Sequence, residues 1–282
     1  MENIVDFIDK LLKADEIDCW GYCDFEQLSS ELIECRAKNR LPENAQSVIC
    51  MLFPYYSGEK QRNISYYACV KDYHSVLNQK LDNICKKLKE KLPDYKFSFF
   101  ADNSPLKEVD LAVRCNLGVR GDNGLLINEK YGSFVFIGEI VTDLTLPDKP
   151  EVEKNNTCLH CQKCIRSCPG KALSENNFNK SLCASHISQK KGDLSDWEIS
   201  ILKKSSLVWG CDICQEVCPL NKNISFTRIK EFNEQIIPII KKGDYEILQN
   251  RAFKWRKAQV INRNIMISEE LNSETEGKRC DE

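Results

Sequence analysis

Cys158, Cys161, Cys164 and Cys168 form a C-x2-C-x2-C-x3-C run closed by Pro169, and Cys211, Cys214 and Cys218 form a C-x2-C-x3-C run closed by Pro219. The first spacing is that of a bacterial two-cluster ferredoxin. A cubane cluster needs four thiolates. Two intervening residues let successive sulfurs curl around one face, and the distant cysteine before proline ligates the other cluster. That crossing gives one 4Fe–4S cluster Cys158, Cys161, Cys164 and Cys218. The second takes Cys168, Cys211 and Cys214 and lacks a ligand, for which Cys183, lying between the runs, is the best candidate. Such clusters move single electrons. Zinc accounts for isolated C-x2-C pairs. It does not account for a three-cysteine loop followed by Cys-Pro and repeated downstream in reduced form. Disulfides are disfavoured because nothing suggests secretion. His160, inside the first loop, reads as a spacer.

The elements that must position these groups follow from periodicity. Ile4, Ile8, Leu11 and Leu12 predict an opening helix. Ser47 to Phe53 is a short apolar run stopped by Pro54, a buried strand. Val76, Leu77, Leu81, Ile84 and Leu88 predict an amphipathic helix ended by Pro93. Phe97 to Ala101 reads as a strand that delivers Asp102 at its exit, and a helix is expected from Leu106 to Cys115. A glycine-rich loop, Gly118 to Gly124, follows. Residues 125–127 and 133–138 read as paired strands joined through Tyr131-Gly132. Residues 145–156, with Pro147 and Pro150, read as a linker. After Leu220 the chain reads as helical and charged.

The chain has 282 residues, net charge −2 and 16 cysteines. That length can bury one large core or two smaller ones. The balance of charge excludes a global basic field of the kind that advertises nucleic acid. Cys19, Cys23, Cys35, Cys50, Cys69, Cys85, Cys115 and Cys280 lack ligand spacing and read mostly as small buried apolar residues. So many free thiols imply a reducing compartment. The acidic N-terminus is not a signal peptide, and no apolar run approaches a membrane span. A cytoplasmic monomer is expected. The fold class predicted is α+β: a reductase-like domain over 1–150, a ferredoxin-like double-cluster module over 151–222, a helical stub over 223–267 and a disordered tail over 268–282.

Four blocks resemble one known family. They are Tyr67-Ala68 with Asp72-Tyr73-His74; Asp102-Asn103-Ser104-Pro105 with Glu108; Gly132 to Glu139 with Thr142-Asp143; and the eight-cysteine pattern including Cys183. The resemblance, from about Ser47 to Asn221, is to the epoxyqueuosine reductases, cobalamin-dependent iron–sulfur enzymes of tRNA modification. It implies a base-off cobalamin on the reductase-like domain near one cluster, with Arg114, Asn123, Gly132 and Ser133 as cofactor-binding residues. It implies reduction of an epoxide on a cyclopentane ring to an alkene, tRNA as partner, and an external electron donor such as a flavodoxin or ferredoxin. Asp102 stands at the family's proton-donor position. A carboxylic acid there can protonate the departing oxygen, provided that burial beside the corrin keeps it protonated near neutral pH. On residue physics alone Asp102 reads as a helix N-cap before Pro105.

The chain departs from the family pattern at Asp122, where the family has a lysine, and in its short C-terminus. Lys222, Arg228, Lys230, Lys241, Lys242, Arg251, Lys254, Arg256 and Lys257 give that segment either a phosphate-binding surface or an ordinary solvated face. Two other readings stay open: a cobalamin-dependent reductase of a small molecule, and a two-cluster electron carrier with no substrate of its own.

Overall fold

The computed structural model describes residues 3–147, 157–175, 177–244 and 247–277. Its frame is a four-stranded antiparallel sheet ordered β1-β2-β6-β3, from β1 (Trp20–Asp24), β2 (Ser47–Pro54), β3 (Phe97–Ala101) and β6 (Val135–Thr142). Every residue of β2 is buried, as expected of a central strand with both faces covered. On one face pack α1 (Ile4–Ala14) and α4 (Tyr73–Lys91), whose Leu77, Leu81 and Leu88 are wholly buried. Each such leucine contributes about 1.5–3 kcal/mol. On the other face packs α5 (Glu108–Arg114) through Leu111 and Ala112. Between β1 and β2 lies α2 (Glu26–Ser29), and α3 (Tyr66–Cys69) precedes α4.

Two local choices aim this frame at the site. Asp72 caps α4, its side chain accepting the His74 N–H at 3.2 Å, so the first turn of the helix is fixed beside the end of β3. Lys107, not Asp102, occupies the N-cap position of α5. The helix starts later than expected because the Ser104 hydroxyl accepts the Leu106 N–H at 2.9 Å and holds 104–106 in a turn. The N-cap reading of Asp102 is therefore set aside.

The expected pairing of residues 125–127 with 133–138 is also corrected. β5 (Leu126–Ile127) pairs with β4 (Val119–Arg120), and both edges of β6 are taken by β2 and β3. The glycine loop makes this short hairpin: Gly124 (φ 78°) donates to the Gly121 carbonyl at 2.8 Å, and Gly121 donates to Leu125 at 2.9 Å.

The cysteine-rich region carries α6 (Lys163–Ser167), the small ladder β7 (Leu173–Ser174) with β8 (Asn177–Phe178), α7 (Ala184–Ile187), α8 (Asp196–Ser205) and α9 (Ile213–Glu216). It is bolted to the sheet domain by buried polar links. Asp212 accepts the Tyr66 N–H at 2.8 Å and lies 3.1 Å from the Arg62 guanidinium. Ser133 donates its N–H to Asn221 Oδ1 at 2.8 Å and its hydroxyl to Gln215 at 3.0 Å.

Among the described residues, 223–257 are mostly irregular, with α10 (Lys230–Asn233) and a short 3-10 turn. The α11 helix (Ala258–Gly277) extends through much of the segment expected to be a disordered tail. Glutamate and serine are compatible with helix even where apolar periodicity fades. Residues 278–282 and most of the expected linker lie outside the described residues. Irregular as it is, 223–257 is packed: Ile229 and Phe232 join the main core, and Phe253 packs on Trp209. Of the eight cysteines without ligand spacing, Cys23, Cys50, Cys69, Cys85 and Cys115 are buried, Cys19 and Cys35 are half-buried, and Cys280 is outside the described residues.

Candidate active site

Past β3 the chain turns through Asp102 (φ 56°) and Asn103 (φ 46°). Two successive non-glycine residues in the left-handed region cost about 1–3 kcal/mol each and are kept only where surrounding contacts impose them. Here the contacts are visible. The Asp102 N–H bonds the Glu108 carboxyl, which burial, and then the Asp102 charge, raise to about 7. Asp102 Oδ2 lies 3.1 Å from His74 Nε2, and His74 Nδ1 lies 2.7 Å from Asp72 Oδ1. Asp72 is buried, and its second oxygen meets Lys254 Nζ at 3.1 Å. The His74 ring stacks on Tyr73 with centroids 3.9 Å apart, and Tyr73 stacks on Phe136 at 4.2 Å.

These bonds decide where the proton sits. The bond to Asp102, then that to Asp72, raises His74 to about 9, and the same His74 bond holds Asp102 below its usual range. The Asp102 side chain is 58% exposed. Asp102 is thus an exposed carboxyl that the His74 bond holds below the usual range, and its neutral form requires the burial beside a corrin that the resemblance implies. The folded-state pKa of His74 is raised, so its contribution to stability is complete below about 6.5 and is lost as pH rises through about 9. Histidine NMR should show this imidazole titrating near 9. In Asp102→Asn it should titrate lower, because its largest stabilising bond is weakened. An ordinary histidine titration in the unaltered protein would contradict the pairing.

The eight cysteines are brought together in two groups. Cys158, Cys161, Cys164 and Cys218 line one small cavity. Cys168, Cys183, Cys211 and Cys214 line another, of about 370 Å³, whose lining also includes Tyr55, Tyr67, Tyr73 and Phe136. Asn123, Ser133 and Gln215 place polar groups in it. A neighbouring cavity of about 680 Å³ shares Leu173 and Phe178 with it and reaches Arg120, Asp122 and His160.

Of the residues expected to bind a corrinoid, Asn123 and Ser133 line the larger cysteine-walled cavity, whereas Arg114 and Gly132 are engaged elsewhere. Arg114 pairs with Glu31 at 2.9 Å. Gly132 (φ 58°) lies so close to Asn221 that an added Cβ would sit 2.1 Å from Oδ1, so its role is close packing of the sheet domain on the cysteine-rich segment. Asp122 Oδ1 meets His160 Nδ1 at 2.8 Å, which ties the glycine loop to the first cysteine loop. His74 and Glu139 are the groups that residue chemistry had not put forward. Glu139 is buried in β6 beside the Ser104 hydroxyl, and burial pushes its carboxyl well above the usual range. The sequence signal was present: a lone carboxylate inside the apolar run 134–141.

Residues 36–103 match the family model described as epoxyqueuosine reductase QueG, DUF1730, and residues 157–221 match the 4Fe–4S double cluster binding domain. The chain is 31% identical over 285 residues to the epoxyqueuosine reductase of Listeria monocytogenes, covering 92% of this chain and 72% of that one. With the epoxyqueuosine reductase of Lactococcus garvieae it shares 30% identity over 306 residues, covering 94% and 86%. The chain belongs to the epoxyqueuosine reductase family. The solved epoxyqueuosine reductase of Streptococcus thermophilus superposes with a TM-score of 0.77 at 25% identity, over 95% of this chain and 81% of that one. For this member of the epoxyqueuosine reductase family, the first matched segment carries Asp72, His74 and Asp102, and the double-cluster match takes in all seven cysteines of the two runs and Cys183.

Proposed function

We propose that this family member is a cobalamin-dependent oxidoreductase with two 4Fe–4S clusters that reduces the epoxide of epoxyqueuosine to an alkene in tRNA. One observation carries the reading. The cavity lined by Cys168, Cys183, Cys211 and Cys214 is also lined by Tyr73, on which His74 stacks, so electron delivery and proton delivery meet at one place. The substrate class rests on the names of the relatives.

The donor sets fit the implied groups. Two sets of four thiols suit cubane clusters, and flat aromatic walls with Asn123, Ser133 and Gln215 suit a large ring system with amide edges. The clusters would supply electrons singly, and cobalamin would supply a low-potential metal centre. Cys158, Cys161, Cys164 and Cys218 would hold the outer cluster, where the 57% exposed Leu159 offers an external donor, such as a flavodoxin or ferredoxin, a point of approach. Cys168, Cys183, Cys211 and Cys214 would hold the inner one. In domain terms, residues 1–150 bear the cobalamin and substrate, 151–222 the clusters, and the protein works as a cytoplasmic monomer.

Reducing an epoxide to an alkene takes two electrons and two protons and releases water. Asp102 protonates the departing oxygen. When substrate and cofactor cover the Asp102–His74 pair, loss of solvent favours the neutral form over the ion pair, and the proton moves from Nε2 to the carboxylate. Asp72, anchored by Lys254, holds the imidazole at the angle needed and readies it for the next proton. Anaerobic titration of the cluster-loaded protein into reduced cobalamin should shift the cofactor's optical spectrum to the base-off form. An unchanged spectrum at excess protein would favour a two-cluster electron carrier.

One observation favours the second reading, a reductase of a small molecule. Arg251, counted among the cations able to meet phosphate, is buried and donates to the Gln235 carbonyl, which thins the basic surface.

A further inference from the structure

The segment 251–257 is buried at its start and exposed at its end. Arg251, Ala252 and Phe253 are buried, while Lys254, Trp255 and Lys257 are exposed. The backbone between is fixed: the Lys254 N–H donates to Arg251 at 3.0 Å and the Arg256 N–H to Phe253 at 2.9 Å, with Phe253 packed on Trp209 beneath. On this rigid turn Trp255 is 55% exposed, and the Arg256 guanidinium lies 3.7 Å from its ring centroid. One face of the indole is thus backed by a cation.

Its neighbourhood is informative. Lys254 reaches Asp72, the outer end of the chain that runs through His74 to Asp102. Lys254, Arg256 and Lys257 therefore bring cations to one turn that carries an exposed aromatic ring.

We infer that Trp255, backed by Arg256, is a stacking platform for an unpaired nucleobase of an RNA loop whose phosphates meet Lys254 and Lys257. An RNA loop brings flat rings and anionic phosphates together and so uses both features, whereas an acidic protein surface would use the lysines alone. In naming an RNA loop this rests on the tRNA half of the proposed function and deepens it.

The test is binding of a fluorescein-labelled, unmodified tRNA anticodon stem-loop to full-length, cluster-loaded protein, followed by anisotropy at fixed salt. Trp255→Ala should weaken binding about tenfold or more, the usual worth of one stacked base. Trp255→Phe should keep most of the affinity, and a fully paired duplex of equal length should bind both variants as it binds the unaltered protein. Equal stem-loop affinity for unaltered protein and Trp255→Ala would overturn the inference. So would a parallel loss on the duplex, which marks a charge or folding effect. Failure of the unaltered protein to bind the stem-loop would overturn it too. Reduction of free epoxyqueuosine nucleoside by the loaded protein is scored separately, so the reductase reading can stand or fall on its own.

Discussion

Asp102→Asn will lower turnover of the loaded protein about a hundredfold or more, the usual contribution of a positioned acid, while iron content and the cofactor spectrum stay as they were. The amide can still accept a hydrogen bond from His74, so the turn at Asp102 and Asn103 keeps its main contact. What disappears is the ability to hand a proton to the departing oxygen. The Glu108 contact, made to the Asp102 N–H, is untouched by the change. Loss of folding in this variant would make the turn a structural element only, and near-normal turnover would remove Asp102 from the chemistry.

Cys183→Ala will lower bound iron from about eight to about four per chain after anaerobic reconstitution, at four per cubane. Paramagnetic resonance of the reduced protein should keep the signal of one cluster and lose that of the other. Cys183 shares its cavity with Cys168, Cys211 and Cys214, and among the described residues no other cysteine lines that wall. The remaining cysteine group lines a different cavity and keeps its full set. Full iron and both signals in the variant would show that another group completes the second cluster.

How far the chain could be read beforehand follows from the range of each interaction. The cysteine spacing is legible because ligands of one cluster must sit within a few residues on one loop. The grouping across the two runs was legible only through the crossing rule, since Cys218 and Cys158 are far apart in sequence. Helix α4 and strands β2 and β3 were legible from period alone. The wrong hairpin came from judging residues 133–138 locally, when β6 is claimed by β2, far upstream, and by β3. The Asp102–His74 pair has the same character: the partners are 28 residues apart and meet only because the cap of α4 is set beside the end of β3. Asp102 itself came from resemblance and not from pattern, and its hydrogen bond to His74 emerges only in the fold. Arg114 and Gly132 came from the resemblance; their contacts with Glu31 and Asn221, from distant parts of the chain, could not be read from pattern. The C-terminal cations looked like one helical face, but an irregular chain there turns Arg251 inward and aims Lys254 at Asp72.

The most direct measurement is single-turnover reduction, under anaerobic conditions, of an anticodon stem-loop carrying epoxyqueuosine by protein loaded with both clusters and cobalamin and reduced chemically. Conversion of the modified nucleoside to its alkene, read by mass spectrometry as loss of one oxygen atom and dependent on added cobalamin, is the predicted result. No conversion of the stem-loop or of the free nucleoside, in protein whose iron is complete and whose cobalt is reducible, would contradict it and direct the search to a different epoxide or a different reducible small molecule.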